Sequence, residues 1–156
     1  MKKNVILSVI LFVSLAGTAC GKRDEADSSR LALMKTADPD PVHTVHSKSK
    51  VSEQDVKKDV ASYKEIYDVA VIKGEKDILV AYKVRHLQRF RMKAIEKKVT
   101  EKLEKKYPDA NFTVSSDYKI FLEATRLRDG VENGSYTGKE AEKRLQQIIK
   151  LQQEKT

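Results

Sequence analysis

With 156 residues the chain has room for one domain, and with 40% hydrophobic and 35% charged residues it is globular but heavily solvated. Its formal charge of +8 suits an acidic partner: a membrane surface, a cell-wall polyanion or nucleic acid. A single cysteine rules out an intrachain disulfide.

Residues 1–19 carry the pattern of a secretory signal peptide. Lys2 and Lys3 form a positive start, residues 5–13 (VILSVILFV) are almost wholly apolar, and small residues follow. The apolar run is too short for a comfortable membrane span. Gly17, Thr18 and Ala19 stand directly before Cys20, the steric requirement of a bacterial lipobox, although Gly17 occupies the place where a leucine is usual. Cys20 is therefore the expected lipidation site. A diacylglyceryl group brings two acyl chains, enough for stable anchoring where one chain is not. Cleavage removes Lys2 and Lys3 and leaves a mature charge of +6. Export makes nucleic acid an unsuitable partner.

Residues 20–50 read as the lipidated cysteine and a flexible linker. They are polar, hold Pro39 and Pro41, and show no sustained helical or strand period. Residues 31–34 (LALM) are a short apolar exception. His43 and His46 stand three apart with no acid or cysteine ligands clustered nearby, so no metal site is expected.

Residues 51–156 form the expected domain. Ser52 caps a first helix carrying Val56, Val60 and Tyr63. Residues 66–72 (IYDVAVI) and 78–84 (ILVAYKV), joined by a turn at Gly74, predict a β-hairpin. A long helix follows over about residues 88–106, with Met92, Ile95, Val99 and Leu103 as its apolar stripe and Pro108 closing it. Residues 111–115 (NFTVS) make a third strand. Ser116 is the expected cap of the next helix, Asp117 a favourable charge in its first turn, and Gly130 its stop. Thr137 and Glu140 form a capping box for a last helix with Ala141, Leu145, Ile148 and Ile149. The order α-β-β-α-β-α-α predicts an α+β fold, with a small three-stranded sheet covered by helices on one face.

Several of these features converge: the lipoprotein signal, the charged linker, the hairpin IYDVAVIKGEKDILVAYKV, the basic segment HLQRFRMKAIEKKVTEKLEKKYP and the strand-to-helix join FTVSSDYKIFLE. Over residues 51–128 together with the signal peptide, the chain resembles the YhcN/YlaJ family of sporulation lipoproteins, and its YlaJ branch more than its YhcN branch. The resemblance implies a lipoprotein on the inner membrane of the spore, at its outer face, with a supporting role in germination. It brings no catalytic motif.

The residues themselves point away from an enzyme. The only cysteine is the lipid site, no G-x-S-x-G or H-E-x-x-H occurs, and Gly74 alone is no phosphate loop. No catalytic residue, metal or cofactor is expected. The informative feature is charge: residues 85–106 hold nine cations and three acids, a surplus of six that equals that of the whole mature chain. Arg85, Arg89, Phe90, Arg91 and Lys93 are the candidate binding surface, because Phe90 falls off the apolar stripe among arginines. The alternative is that Phe90 packs on the end of the second strand. The expected role is a non-enzymatic binding or scaffold module, reaching anionic lipid or another spore-membrane protein. The competing reading is a generic envelope lipoprotein whose basic face holds anionic lipid or wall polymer.

Overall fold

The computed structural model describes residues 38–155 except His46 and Lys48. The signal segment, Cys20, the 31–34 stretch and His46 lie outside the described residues. In chain order the elements are β1 (Val42–His43), α1 (Glu53–Ala61), β2 (Ile66–Lys73) and β3 (Asp77–Val84). A 3₁₀ helix (His86–Arg91) then leads into α2 (Met92–Lys106), β4 (Asn111–Ser115), α3 (Tyr118–Glu132) and α4 (Gly138–Gln153). The α+β expectation holds. The sheet, however, has four strands rather than three, in the order β1-β2-β3-β4.

The hairpin is the centre of the sheet. β2 and β3 pair antiparallel, with a bulge between Ile66 and Asp68. β4 adds to β3 in parallel and β1 adds to β2 in parallel. The fourth strand comes from the segment expected to be linker. Thr44, just beyond it, is buried and donates its N–H to the Lys73 carbonyl at 2.9 Å. The chain is held from Asp38 onward. Asp38 donates its N–H to Asp68 Oδ1 at 3.0 Å, and Lys57 Nζ reaches both the Asp38 carboxylate at 2.9 Å and the Pro39 carbonyl at 2.8 Å.

Helices cover both faces of the sheet, not one. On the first face Val69, Val71, Val80 and Tyr82 pack with Val56 and Val60 of α1 and with Ile95, Val99 and Leu103 of α2. On the second, Ala70, Ile72, Leu79 and Ala81 pack with Ile120, Phe121 and Leu127 of α3 and with Leu145 and Ile148 of α4. The physical reason lies in the strands. β2 and β3 are near-continuous apolar runs, the pattern of strands buried on both sides, whereas a sheet with one wet face alternates. Of the expected stripe of α2, Ile95, Val99 and Leu103 are buried, and they meet buried Val80, Tyr82 and Val114 of the sheet.

One charged pair sits inside the second face. Lys83 Nζ lies 2.8 Å from Asp68 Oδ2 and 4.7 Å from the centre of the Phe121 ring, and both charged side chains are buried. Buried charges persist when paired in this way.

The helix termini follow the sequence with three differences. Ser52 accepts from the Asp55 N–H, and Thr137 and Glu140 form the reciprocal box. Asp117, not Ser116, caps α3, accepting from the N–H groups of Lys119 and Ile120. Ser116 is diverted to α2, where its N–H and hydroxyl both donate to Glu96 Oε2 at 2.8 Å. Gly130 does not stop α3, which runs on to Glu132. Instead, the Tyr136 ring lies where a side chain at Gly130 would be. The long helix begins at Met92, because residues 86–91 wind as a 3₁₀ helix.

Candidate functional site

The end of β3 sets the site. Arg85 leaves the strand with its N–H bonded to the Glu65 carbonyl at 2.8 Å, and its Nε donates to the Lys64 carbonyl at 3.0 Å. Gln88 N–H then closes on the Arg85 carbonyl at 2.8 Å. The chain is thereby fixed on both sides of the turn before the 3₁₀ helix begins.

A 3₁₀ helix has three residues per turn, so side chains at i and i+3 eclipse. Leu87 and Phe90 fall on one such ridge, and they are 79% and 83% exposed. Tyr136, at 38%, is the one other large apolar side chain exposed among the described residues, and it is engaged over Gly130. His86 and Arg89 form the neighbouring ridge. Phe90 does not pack on the end of β3, so the alternative reading of this residue fails.

Cations surround the ridge. Arg89, Arg91 and Lys93 are exposed, and among the described residues none of them has an ion-pair partner. Residues 85–95 hold four cations and no acid. These cations stand at the N-terminal end of α2, whose first turn holds no acid and whose cap makes no side-chain bond. The helix macrodipole places partial positive charge there and disfavours cations. Folding therefore gains nothing from their position.

Beside Lys93 a groove of about 440 Å³ runs between α2, the end of β4 and the start of α3. Met92, Glu96, Thr100, Ser116 and Asp117 are among its walls. Its three acids are engaged: Glu96 accepts from Ser116, Asp117 pairs with Lys155, and Glu101 lies 3.8 Å from Lys97. Burial counters the ionised form of Asp117, but the Lys155 bond and the N–H groups of Ile120 and Lys119 prevail and hold its carboxyl below the usual range. Tyr82 is wholly buried; that burial, then the charge of Glu96, push its hydroxyl far above the ordinary tyrosine value.

Of the sequence-predicted residues, Arg89, Phe90, Arg91 and Lys93 come together on one exposed surface. Arg85 lies at its base, with its Nε committed to the backbone. Among the described residues no hydrogen bond or ion pair joins Asp117 to Arg85 or His86. His43 stands 3.7 Å from Glu53, and no cluster of three metal-ligating side chains occurs among the described residues. Leu87, which stands on the same ridge, is not among the candidate residues read from the sequence. The signal was there, in the spacing of three, once the segment is read as 3₁₀.

No helix among the described residues is long and apolar enough to cross a membrane. Comparison with curated proteins and with solved structures gives no match. The family model "Sporulation lipoprotein YhcN/YlaJ" matches residues 28–150, a longer stretch than the 51–128 resemblance and one that begins inside the expected linker. That span takes in every strand and helix described above except the last three residues of α4, and the chain belongs to the YhcN/YlaJ family of sporulation lipoproteins.

Proposed function

We propose that this lipoprotein is held by lipid on Cys20 at the outer face of the spore's inner membrane and acts there as a non-enzymatic binding or scaffold module that supports germination. The observation that carries the reading is the Leu87–Phe90 ridge. Two large apolar side chains stand in solvent, ringed by cations at a helix N-terminus where the dipole disfavours them. Exposed apolar residues grouped in this way mark interaction sites.

The test has two arms. Replacing Cys20 by Ser should release the mature chain from the membrane fraction, because no membrane-spanning helix is present among the described residues to hold it. A Cys20→Ser chain that stays in the pellet through a salt wash removes the anchor from the proposal. Spores lacking the chain should germinate more slowly than their parent, and a Leu87→Ser/Phe90→Ser chain should fail to restore the rate. Unchanged germination in the deletion strain rules out the supporting role.

A further inference from the structure

We propose that the Leu87–Phe90 ridge inserts into the anionic surface of the bilayer that carries the anchor, docking the folded domain on the membrane. The inference rests on the anchored reading above and names the partner of the same surface.

Each part of the ridge fits a lipid surface. Leu87 and Phe90 project together, so both can enter the headgroup region at once. Arg89, Arg91 and Lys93 stand around them without carboxylate partners among the described residues, placed to meet lipid phosphates. A wall polymer or any other hydrophilic polyanion would account for the cations but leave the two apolar side chains in water. A second copy of the chain would account for the apolar pair but would bring two sets of cations face to face, a costly juxtaposition. An anionic bilayer accommodates both features.

The anchor makes weak docking sufficient. Seventeen residues separate Cys20 from Asp38, a contour of at most roughly 60 Å. Confined to that range, the ridge meets the bilayer at a high effective concentration. Two apolar residues and a few cations then suffice to decide whether the domain stands free or lies down. The attraction is part electrostatic and part apolar, and only the first part is screened by salt.

The test uses the full lipidated chain reconstituted in vesicles. The protein contains no tryptophan, so Phe90→Trp provides the sole tryptophan on the ridge, excited at wavelengths where the six tyrosines do not absorb. Lys139→Trp provides a control at the opposite end of the sheet, beside Gly138 and Thr44. Vesicles are made of phosphatidylglycerol with phosphatidylcholine, or of phosphatidylcholine alone, each with brominated acyl chains as quencher. On the anionic vesicles the Phe90→Trp emission should shift to the blue and be quenched, while Lys139→Trp is not. Adding Arg89→Gln, Arg91→Gln and Lys93→Gln should lower the ratio of docked to undocked protein by roughly fivefold per cation. High salt should have a similar effect.

An unquenched Phe90→Trp reporter in a chain that still floats with anionic vesicles overturns docking and leaves the anchored module standing. Equal quenching of both reporters also overturns it, since the contact would then be nonspecific. A blue shift seen with spore-membrane proteins but not with pure lipid assigns the ridge to a protein partner and overturns the lipid proposal. Unchanged melting temperatures serve as the folding control for every variant.

Discussion

The two ends of α2 carry the same kind of residue and treat it in opposite ways. At the C-terminal end, Lys102 and Lys106 are tied down. Lys106 Nζ donates to both oxygens of Asp59 at 2.9 and 2.7 Å, the Tyr107 hydroxyl donates to the same carboxylate at 2.7 Å, and Lys102 lies 5.0 Å above the Tyr63 ring while donating to the Asp59 carbonyl at 3.0 Å. The macrodipole favours cations there as well. At the N-terminal end Arg89, Arg91 and Lys93 have neither acid partners among the described residues nor a favourable dipole. A positive run along one helix is thus two features: one half joins α1 to α2, and the other half faces outward.

The sharpest division concerns stability. Leu103, wholly buried between the two lysines of the C-terminal end, should lose about 2–5 kcal/mol on replacement by Ala, read by urea denaturation. A loss under about 0.5 kcal/mol would mean that this half of the helix is not the packed one.

Asp59→Ala should cost less, about 1–3 kcal/mol, because it removes charge-assisted hydrogen bonds from a half-buried carboxylate. The pH dependence has a defined sign. Burial pushes the Asp59 carboxyl upward, but the bonds from Lys106 and Tyr107 and the charges of Lys106 and Lys102 prevail and hold it below its ordinary value. A depressed carboxyl contributes stability that is complete above the unfolded value and is lost as pH falls through the folded one. Melting temperature should therefore fall below about pH 4 in the parent, and less steeply in Asp59→Ala. Identical slopes in the two proteins would break the assignment.

The smallest effect belongs to the N-terminal end. Replacing Arg89, Arg91 and Lys93 together by Gln should leave stability within about 0.5 kcal/mol of the parent, with any change in the stabilising direction, since cations leave a helix N-terminus. A loss above about 1 kcal/mol would show that these residues hold the fold, and the contrast between the two ends would disappear.

Elements with local chemical signatures were legible in the sequence. The Thr137–Glu140 box, the hairpin around Gly74 and the buried stripe of α2 each depend on residues within a few positions of one another. The rest was decided at longer range. A two-residue strand such as β1 has no period to read; it exists because Lys73 offers a free edge carbonyl to Thr44. Ser116 and Asp117 are both competent caps, and Glu96 of α2 decides between them by taking Ser116. The second covered face could have been inferred from the unbroken apolar residues at 69–72 and 78–82, which leave neither side of the sheet polar. At the candidate surface, the cations and Phe90 were legible as composition. Its shape was not, because three residues per turn rather than 3.6 is what lines Leu87 up with Phe90.

The clamp at Asp38 and the short parallel pairing of β1 have a mechanical consequence. Among the described residues, tension arriving from the N-terminal side meets first Asp38 and its bonds to Asp68 and Lys57. Behind it stand two paired residues of β1. The hairpin, α2 and the layer of α3 and α4 come after α1. Residues 38–51, held besides by buried Thr44 with its bonds to Lys73 and Glu142, can therefore peel away before the hairpin and lengthen the N-terminal segment by at most roughly 45 Å, while the β2–β3 pairing stays whole. Pulled from its N-terminus in an optical trap, the protein should show one short early extension, then a separate, larger rupture. A single rupture from the folded length would mean that the leash and the domain yield together.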